Sequence, residues 1–208
     1  MIDERSFMEN LTRTAEHVVR INQRRSSLSN TLALLLSAPT SFVLEIGCGH
    51  GHFLTAYAAA YPAKLCVGVD ISLDRIERGM RKRNRAKLAN LHFLHADARD
   101  FLDALPASAS FSTIFILFPD PWPKRRHHKN RIMQPEFLAM AAKRAGRGTR
   151  LHFRTDYEPY FRDTEKMIEQ HHDWKIVAEP WPFEQLTVFQ SRAAAHHSLS
   201  AICQAPAP

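Results

Sequence analysis

No apolar run in this chain approaches the roughly 18 residues that read as a membrane-spanning helix, and this argues against an integral helical membrane protein. Cysteine is scarce. Cys48, Cys66 and Cys203 are odd in number and widely spaced, with no Cys-x-x-Cys pair, which excludes a disulfide framework and a cysteine-based zinc site. The opening Met1-Ile2-Asp3-Glu4-Arg5 lacks the basic start and apolar stretch of a secretory leader, and the apolar run from Leu32 to Ala38 is too short and too deep to be one. The compartment expected is therefore the reducing cytoplasm. Twelve histidines invite a metal, but His127-His128, His171-His172 and His196-His197 are sequence neighbours. Neighbours on a helix or strand point in different directions, so no metal site is expected.

What is present is a core and a surplus of cations. With 208 residues at 45% hydrophobic content and a net charge of +7, the chain suits one packed domain with extensions. The clustered basic residues suggest a polyanionic partner. Residues 1–40 place Leu11, Val18, Ile21, Leu28, Leu32 and Leu35 at helical spacing with arginines between, and predict a helical extension. Residues 41–200 alternate short β-rich runs with longer helical patterns, and predict a doubly wound α/β domain with a mostly parallel sheet. Late antiparallel strands are expected at 174–178 and 186–190, and residues 201–208 are expected to be a disordered tail. In such sheets ligands sit beyond the carboxyl ends of the strands. Glu45 to Gly51, Asp70, Asp97, Asp120 and Asp156 all fall at those ends.

Leu44-Glu45-Ile46-Gly47-Cys48-Gly49-His50-Gly51 is a strand running into a glycine turn at a helix start. Glycine permits positive φ and close backbone approach. The dinucleotide fingerprint Gly-x-Gly-x-x-Gly fails, because the spacing is Gly47-x-Gly49-x-Gly51 and position 52 is histidine. Asp70 and Asp97 close the next two strands, where each suits a ligand hydroxyl or amino group and equally suits the cap of a following helix.

The run Phe118-Pro119-Asp120-Pro121-Trp122-Pro123-Lys124-Arg125-Arg126-His127-His128-Lys129-Asn130-Arg131 is the most informative segment. A carboxylate lies between prolines beside an indole, and five fixed cations follow with no acid among them. Each proline ring stiffens the loop, a flat aromatic suits a nucleobase, and the cations suit phosphates. Trp122 reads equally as a stacking platform and as a packing anchor. Lys82, Arg83, Arg85 and Lys87, within a second basic stretch, read as a solvated face.

The Glu-x-Gly-x-Gly-x-Gly pattern resembles the first motif of class I S-adenosylmethionine (SAM) methyltransferases. Pro119-Asp120-Pro121-Trp122-Pro123-Lys124, with Thr155-Asp156-Tyr157-Glu158-Pro159-Tyr160, is similar to the bacterial tRNA (guanine-N7)-methyltransferase family over residues 41–192. That resemblance implies SAM held at Glu45, Gly47, Gly49, Gly51, Asp70, Asp97 and Asp120, with Asp120 also the catalytic residue. It implies substrate contacts at Lys124, Asp156, Thr187 and Gln190, and RNA contacts at Arg126, His127, His128, Lys129, Asn130 and Arg131. The product implied is N7-methylguanine at position 46 of the tRNA variable loop. Two departures stand out: Asp70 replaces the family's usual glutamate, and Gln190 replaces the glutamate of a late Thr-x-x-Glu whose following glycines are absent here.

Two other readings remain open at this level. One is an amino-group or other-base methyltransferase, although in Asp120-Pro121-Trp122-Pro123 the aromatic precedes the second proline. The other is a catalytically silent RNA-binding subunit on the same scaffold, motivated by residues 190–197.

Overall fold

The computed structural model of the chain describes residues 19, 22–185 and 195–205. A helix over residues 22–35, α1, opens the described part. Then follow β1 (Thr40–Ile46), α2 (His52–Ala60), β2 (Cys66–Asp70), α3 (Leu73–Arg85), β3 (Leu91–His95), α4 (Ala98–Ala104) and β4 (Ala109–Leu117). A 3-10 turn at Arg125–Asn130 leads to α5 (Pro135–Ala142), β5 (Ala145–Thr155), α6 (Glu158–Glu169), β6 (Trp174–Val177) and β7 (His197–Cys203).

The strands form one sheet in the order β3-β2-β1-β4-β5-β7-β6. Neighbours from β3 to β5 run parallel, and β7 runs antiparallel to both β5 and β6. The doubly wound, mostly parallel sheet expected from the alternating pattern is thus observed. Chain order reverses at β1, which lies between β2 and β4, so the crevice for a ligand opens where those three strands end.

Period-two alternation divides the core between the two faces. On β1, Leu44 and Ile46 join Phe101, Phe137, Phe153 and Tyr160 on one face, whereas Val43 joins Phe53, Tyr57, Phe93 and Phe115 on the other. Phe53, Tyr57 and Tyr61, spaced for one side of α2, meet Phe183 with ring centroids 5.3–6.0 Å apart. Leu32 and Leu36 are fully buried, which docks α1 on the domain. Leu11, Val18 and Ile21 lie outside the described residues.

The C-terminal expectations need correction. β6 occupies most of the stretch expected at 174–178 and pairs antiparallel with β7, whereas residues 186–190 lie outside the described residues. Residues 201–203, expected in a disordered tail, belong to β7 instead, with Ala201 and Cys203 fully buried; residues 206–208 lie outside the described residues. β7 inserts between β5 and β6 with Ile202 opposite Arg150 and Ser198 opposite Arg154. A short alternating run such as His197–Cys203 carries a weak signal by itself. Its place in the sheet is set by pairing on both edges.

Candidate active site

A cleft of about 230 Å³ opens at the carboxyl ends of β1, β2 and β4. Asp70, Asp97 and Asp120 supply carboxylates to it, and Ile46, Val69, Leu117 and Ile132 are among its apolar walls. Gly47, Trp122 and Asn130 also line it. Three acids far apart in the sequence therefore converge, because Asp70 ends β2 and Asp97 and Asp120 lie just beyond β3 and β4 of the same sheet.

The glycine turn has physical reasons for its composition. Gly47, Gly49 and Gly51 have φ of 70°, 53° and 69°, a region that costs other L-residues roughly 1–2 kcal/mol. A Cβ on Gly51 would collide with the Phe93 ring, whereas Gly47 and Gly49 face open space. The turn is held from below by Asp70: its Oδ2 accepts from the Gly49 N–H at 2.9 Å and its Oδ1 from the Ser72 N–H at 2.8 Å. Asp70 thus braces the turn as well as lining the cleft, and a carboxylate with about four acceptor positions retains capacity for a ligand. Asp97 likewise has two roles, since its Oδ1 caps α4 through the Arg99 N–H at 2.8 Å.

Glu45 lies buried behind the turn rather than in the cleft wall. Burial, reinforced by the Asp70 carboxylate, pushes its pKa well above the ordinary carboxylate value. Its Oε2 has no hydrogen-bond partner. A buried acceptor left unmade costs about 1–3 kcal/mol, and a donor arriving at the site would recover that cost.

The turn after β4 is strained and anchored at both sides of Asp120. Phe118 and Trp122 have φ of 49° and 42°, and such outliers concentrate where surrounding structure over-determines the backbone. The Phe118 N–H donates to the Arg154 carbonyl at 2.7 Å. Arg131 closes the other side. Its Nε donates to the Pro121 carbonyl at 2.8 Å, its Nη1 meets Asp163 at 2.7 Å, its Nη2 meets His128 Nε2 at 3.1 Å, and its guanidinium stands 4.6 Å over the Tyr160 ring. Asp120 itself is exposed at the rim of the cleft.

The basic run expected to contact RNA therefore divides. Lys124, Arg126 and Lys129 are exposed, and Asn130 is exposed at the cleft wall. His127 packs edge-on against Trp122, with centroids 5.8 Å apart. Arg131 is a correction: only 3% exposed, it turns its guanidinium onto Pro121, Asp163, His128 and the Tyr160 ring rather than toward solvent. His128 is half-buried as its partner. Asp156 is exposed at the end of β5 and is not part of the cleft wall. Thr187 and Gln190 lie outside the described residues.

Sequence reasoning missed a polar row on β5, in which His152 and Arg154 are buried and Arg150 is half-buried. Arg150 meets Glu179 at 2.9 Å, His152 bonds Ser200 at 2.8 Å, and Arg154 makes a two-pronged pair with Glu184 while standing 4.0 Å over Trp181. Burial, with Arg150 adding to it, pushes the His152 pKa down to about 4. The signal was available. Arg150, His152 and Arg154 alternate with Leu151 and Phe153, and a polar face on an interior strand requires partners.

Fold and site together define the class I methyltransferase architecture. Among solved structures, the chain is similar to a 16S rRNA (adenine(1408)-N(1))-methyltransferase from Catenulisporales acidiphilia, with TM-score 0.56, 15% identity, and 86% of this chain and 92% of that one covered. An rRNA methylase from Streptococcus thermophilus gives TM-score 0.55 at 11% identity, covering 89% and 96%.

Residues 39–196 match the family model described as "Putative methyltransferase", and the chain belongs to that family. Relatives named tRNA (guanine-N(7)-)-methyltransferase include those of Thermosynechococcus vestitus, 35% identical over 67% of this chain and 68% of that protein, and Chromohalobacter salexigens, 31% identical over 78% and 69%. The one from Streptomyces coelicolor is 36% identical over 69% of this chain but only 53% of its own length. The chain thus spans between about half and about two thirds of the length of these curated relatives.

Proposed function

We propose that this protein transfers a methyl group from SAM to guanine N7 in tRNA, at position 46 of the variable loop. The observation that carries the proposal is one continuous site. A cleft with three convergent carboxylates has Asp120 at its rim, and Asp120 is followed within a few residues by the exposed cations Lys124, Arg126 and Lys129. The relatives' name supports the substrate, and the cleft lined by Asp70, Asp97 and Asp120 supports an enzyme over a silent subunit.

The residues present fit SAM. Glu45 holds a buried oxygen without a partner, the glycine turn leaves open space at Gly47 and Gly49, and Asp70 and Asp97 offer acceptors between apolar walls. These residues would hold the cosubstrate, which supplies an electrophilic methyl group when bound. Guanine N7 carries a free lone pair, so no side chain has to remove a proton before attack. The protein's part is then positioning and electrostatics. Holding two reactants in line can supply roughly 7–11 kcal/mol in favourable cases. The purine gains positive charge as the bond forms, and the Asp120 carboxylate would favour that charge more than the neutral base. Asp156, exposed one residue beyond β5, has a carboxylate suited to the guanine N1–H and exocyclic amine. Lys124, Arg126 and Lys129 would neutralise phosphates, the sequence-independent part of RNA affinity.

The test is tRNA whose target guanosine is replaced by 7-deazaguanosine, which exchanges N7 for carbon and leaves the pairing edge and phosphates intact. Binding should persist and methyl transfer should vanish. Continued methylation of that nucleoside would remove the N7 assignment.

A further inference from the structure

The helix α3 carries Arg75, Arg78, Arg81, Lys82, Arg83 and Arg85 against only Asp74 and Glu77. Arg75, Arg78, Lys82 and Arg85 recur at i, i+3, i+7 and i+10, so they form a single stripe along the helix. Two observations separate this stripe from an ordinary solvated face. Lys82 is half-buried, and its ammonium is fixed on the His50 carbonyl at 2.8 Å, so the charge is held in place rather than sweeping through water. The stripe also repels itself: burial, then Arg78, Arg85 and Arg81, pull the Lys82 pKa down. Beside it, burial followed by Arg78, Lys82 and Arg75 lowers the pKa of His50, with Asp74 opposing them.

Placement gives the stripe its meaning. α3 follows β2 and the basic turn follows β4, the two strands that flank β1. The two cationic surfaces therefore stand on opposite sides of the cleft, and Arg75 at one end of the stripe lines it. The acids on α3 do not cancel the charge. Asp74 meets Arg78 at 3.0 Å and Glu77 meets Arg81 at 4.0 Å, both as exposed pairs, which water screens. A phosphate can replace them at little cost.

We infer that the Arg75, Arg78, Lys82 and Arg85 stripe is a second phosphate-binding track for the RNA, across the cleft from Lys124, Arg126 and Lys129. The inference rests on the tRNA reading above. With a track on each side, backbone on both flanks of the target nucleotide is gripped, and the base between them is presented to the cleft. Phosphate binding also relieves the repulsion that the free protein carries along α3.

The experiment measures tRNA affinity across a series of salt concentrations for Arg78→Gln/Arg85→Gln and, separately, for Lys124→Ala/Arg126→Ala. Arg75 and Lys82 are left alone because one lines the cleft and the other braces the glycine turn. Each lost phosphate contact lowers the salt slope by about one, so the α3 pair should lower it by about two, with unchanged SAM titration and unchanged melting temperature. Arg78→Lys/Arg85→Lys should restore the slope, and the losses from the two tracks should add. A wild-type slope in the α3 pair, with a reduced slope in the turn pair, overturns the second track and leaves the proposed function standing. Wild-type slopes in both pairs overturn the RNA-binding reading and the track with it.

Discussion

Arg131→Met is the substitution that most sharply separates the structure from the sequence pattern. By pattern Arg131 is the last cation of an RNA-binding run, whereas in the fold it is an internal tie. Its guanidinium, 3% exposed, holds the Pro121 carbonyl, Asp163 and the ring nitrogen of His128, and covers the Tyr160 face. Asp163 is 56% exposed and loses little when its partner goes, because water takes over. The hydrogen bond to Pro121 comes from a charged donor, a class worth roughly 1.5–3 kcal/mol, and the lost ring contact adds to it. A total near 3 kcal/mol, at about 2–4 °C per kcal/mol for a domain of this size, lowers the melting temperature by roughly 6–12 °C. Methyl-transfer turnover should also fall, because the Pro121–Trp122 side of the Asp120 turn is released, while the salt slope of tRNA binding should stay at the wild-type value. Arg131→Lys should recover part of the stability. A melting temperature equal to wild type, with the slope reduced by about one, would show that Arg131 is a phosphate contact and refute the reasoning.

Three other substitutions probe separate parts of the account. Asp120→Asn keeps the shape but not the charge, and should leave melting and tRNA affinity intact while single-turnover transfer drops about 10²–10³-fold; an unchanged rate would make Asp120 structural. His152 has a folded pKa near 4 against an ordinary 6.5, so the unfolded chain binds the extra proton as pH falls through that window and stability is lost there, by roughly 3 kcal/mol at the acid end. His152→Gln should flatten the pH dependence of urea unfolding between those values, and an equally steep profile would contradict the assignment. Glu45 has its folded pKa raised, so its stabilising contribution is complete below the ordinary carboxylate pKa and is lost as pH rises. Glu45→Gln should therefore be more stable than wild type at pH 8 yet bind SAM more weakly, and a less stable variant would sink that argument.

Much of this was legible because local chemistry and global position agree. The parallel core follows from strand and helix patterns alternating at short spacing, and the acids at positions 70, 97 and 120 converge because each ends or closely follows a strand. The glycine turn was readable from its spacing after a strand, and the fold adds a reason for one member, since Gly51 must admit the Phe93 ring. What was not legible depends on contacts distant in sequence. Arg131 and Arg126 look alike in a basic run, and only the approach of Asp163 and Tyr160 from α6 makes one an anchor and leaves the other in water. β7 was obscured for a related reason. Its Ala201 and Cys203 are buried only because β5 and β6 close on it from both sides. Lys82 belongs by pattern to a solvated face, and only the fold brings the carbonyl of His50 to its ammonium.

The most direct test of the central claim is to incubate the protein with methyl-labelled SAM and tRNA lacking the modification, digest the product, and identify the labelled nucleoside and its position. The account predicts N7-methylguanosine in the variable loop at position 46. Label in any other nucleoside, or no transfer from a protein that binds both SAM and tRNA, would contradict it.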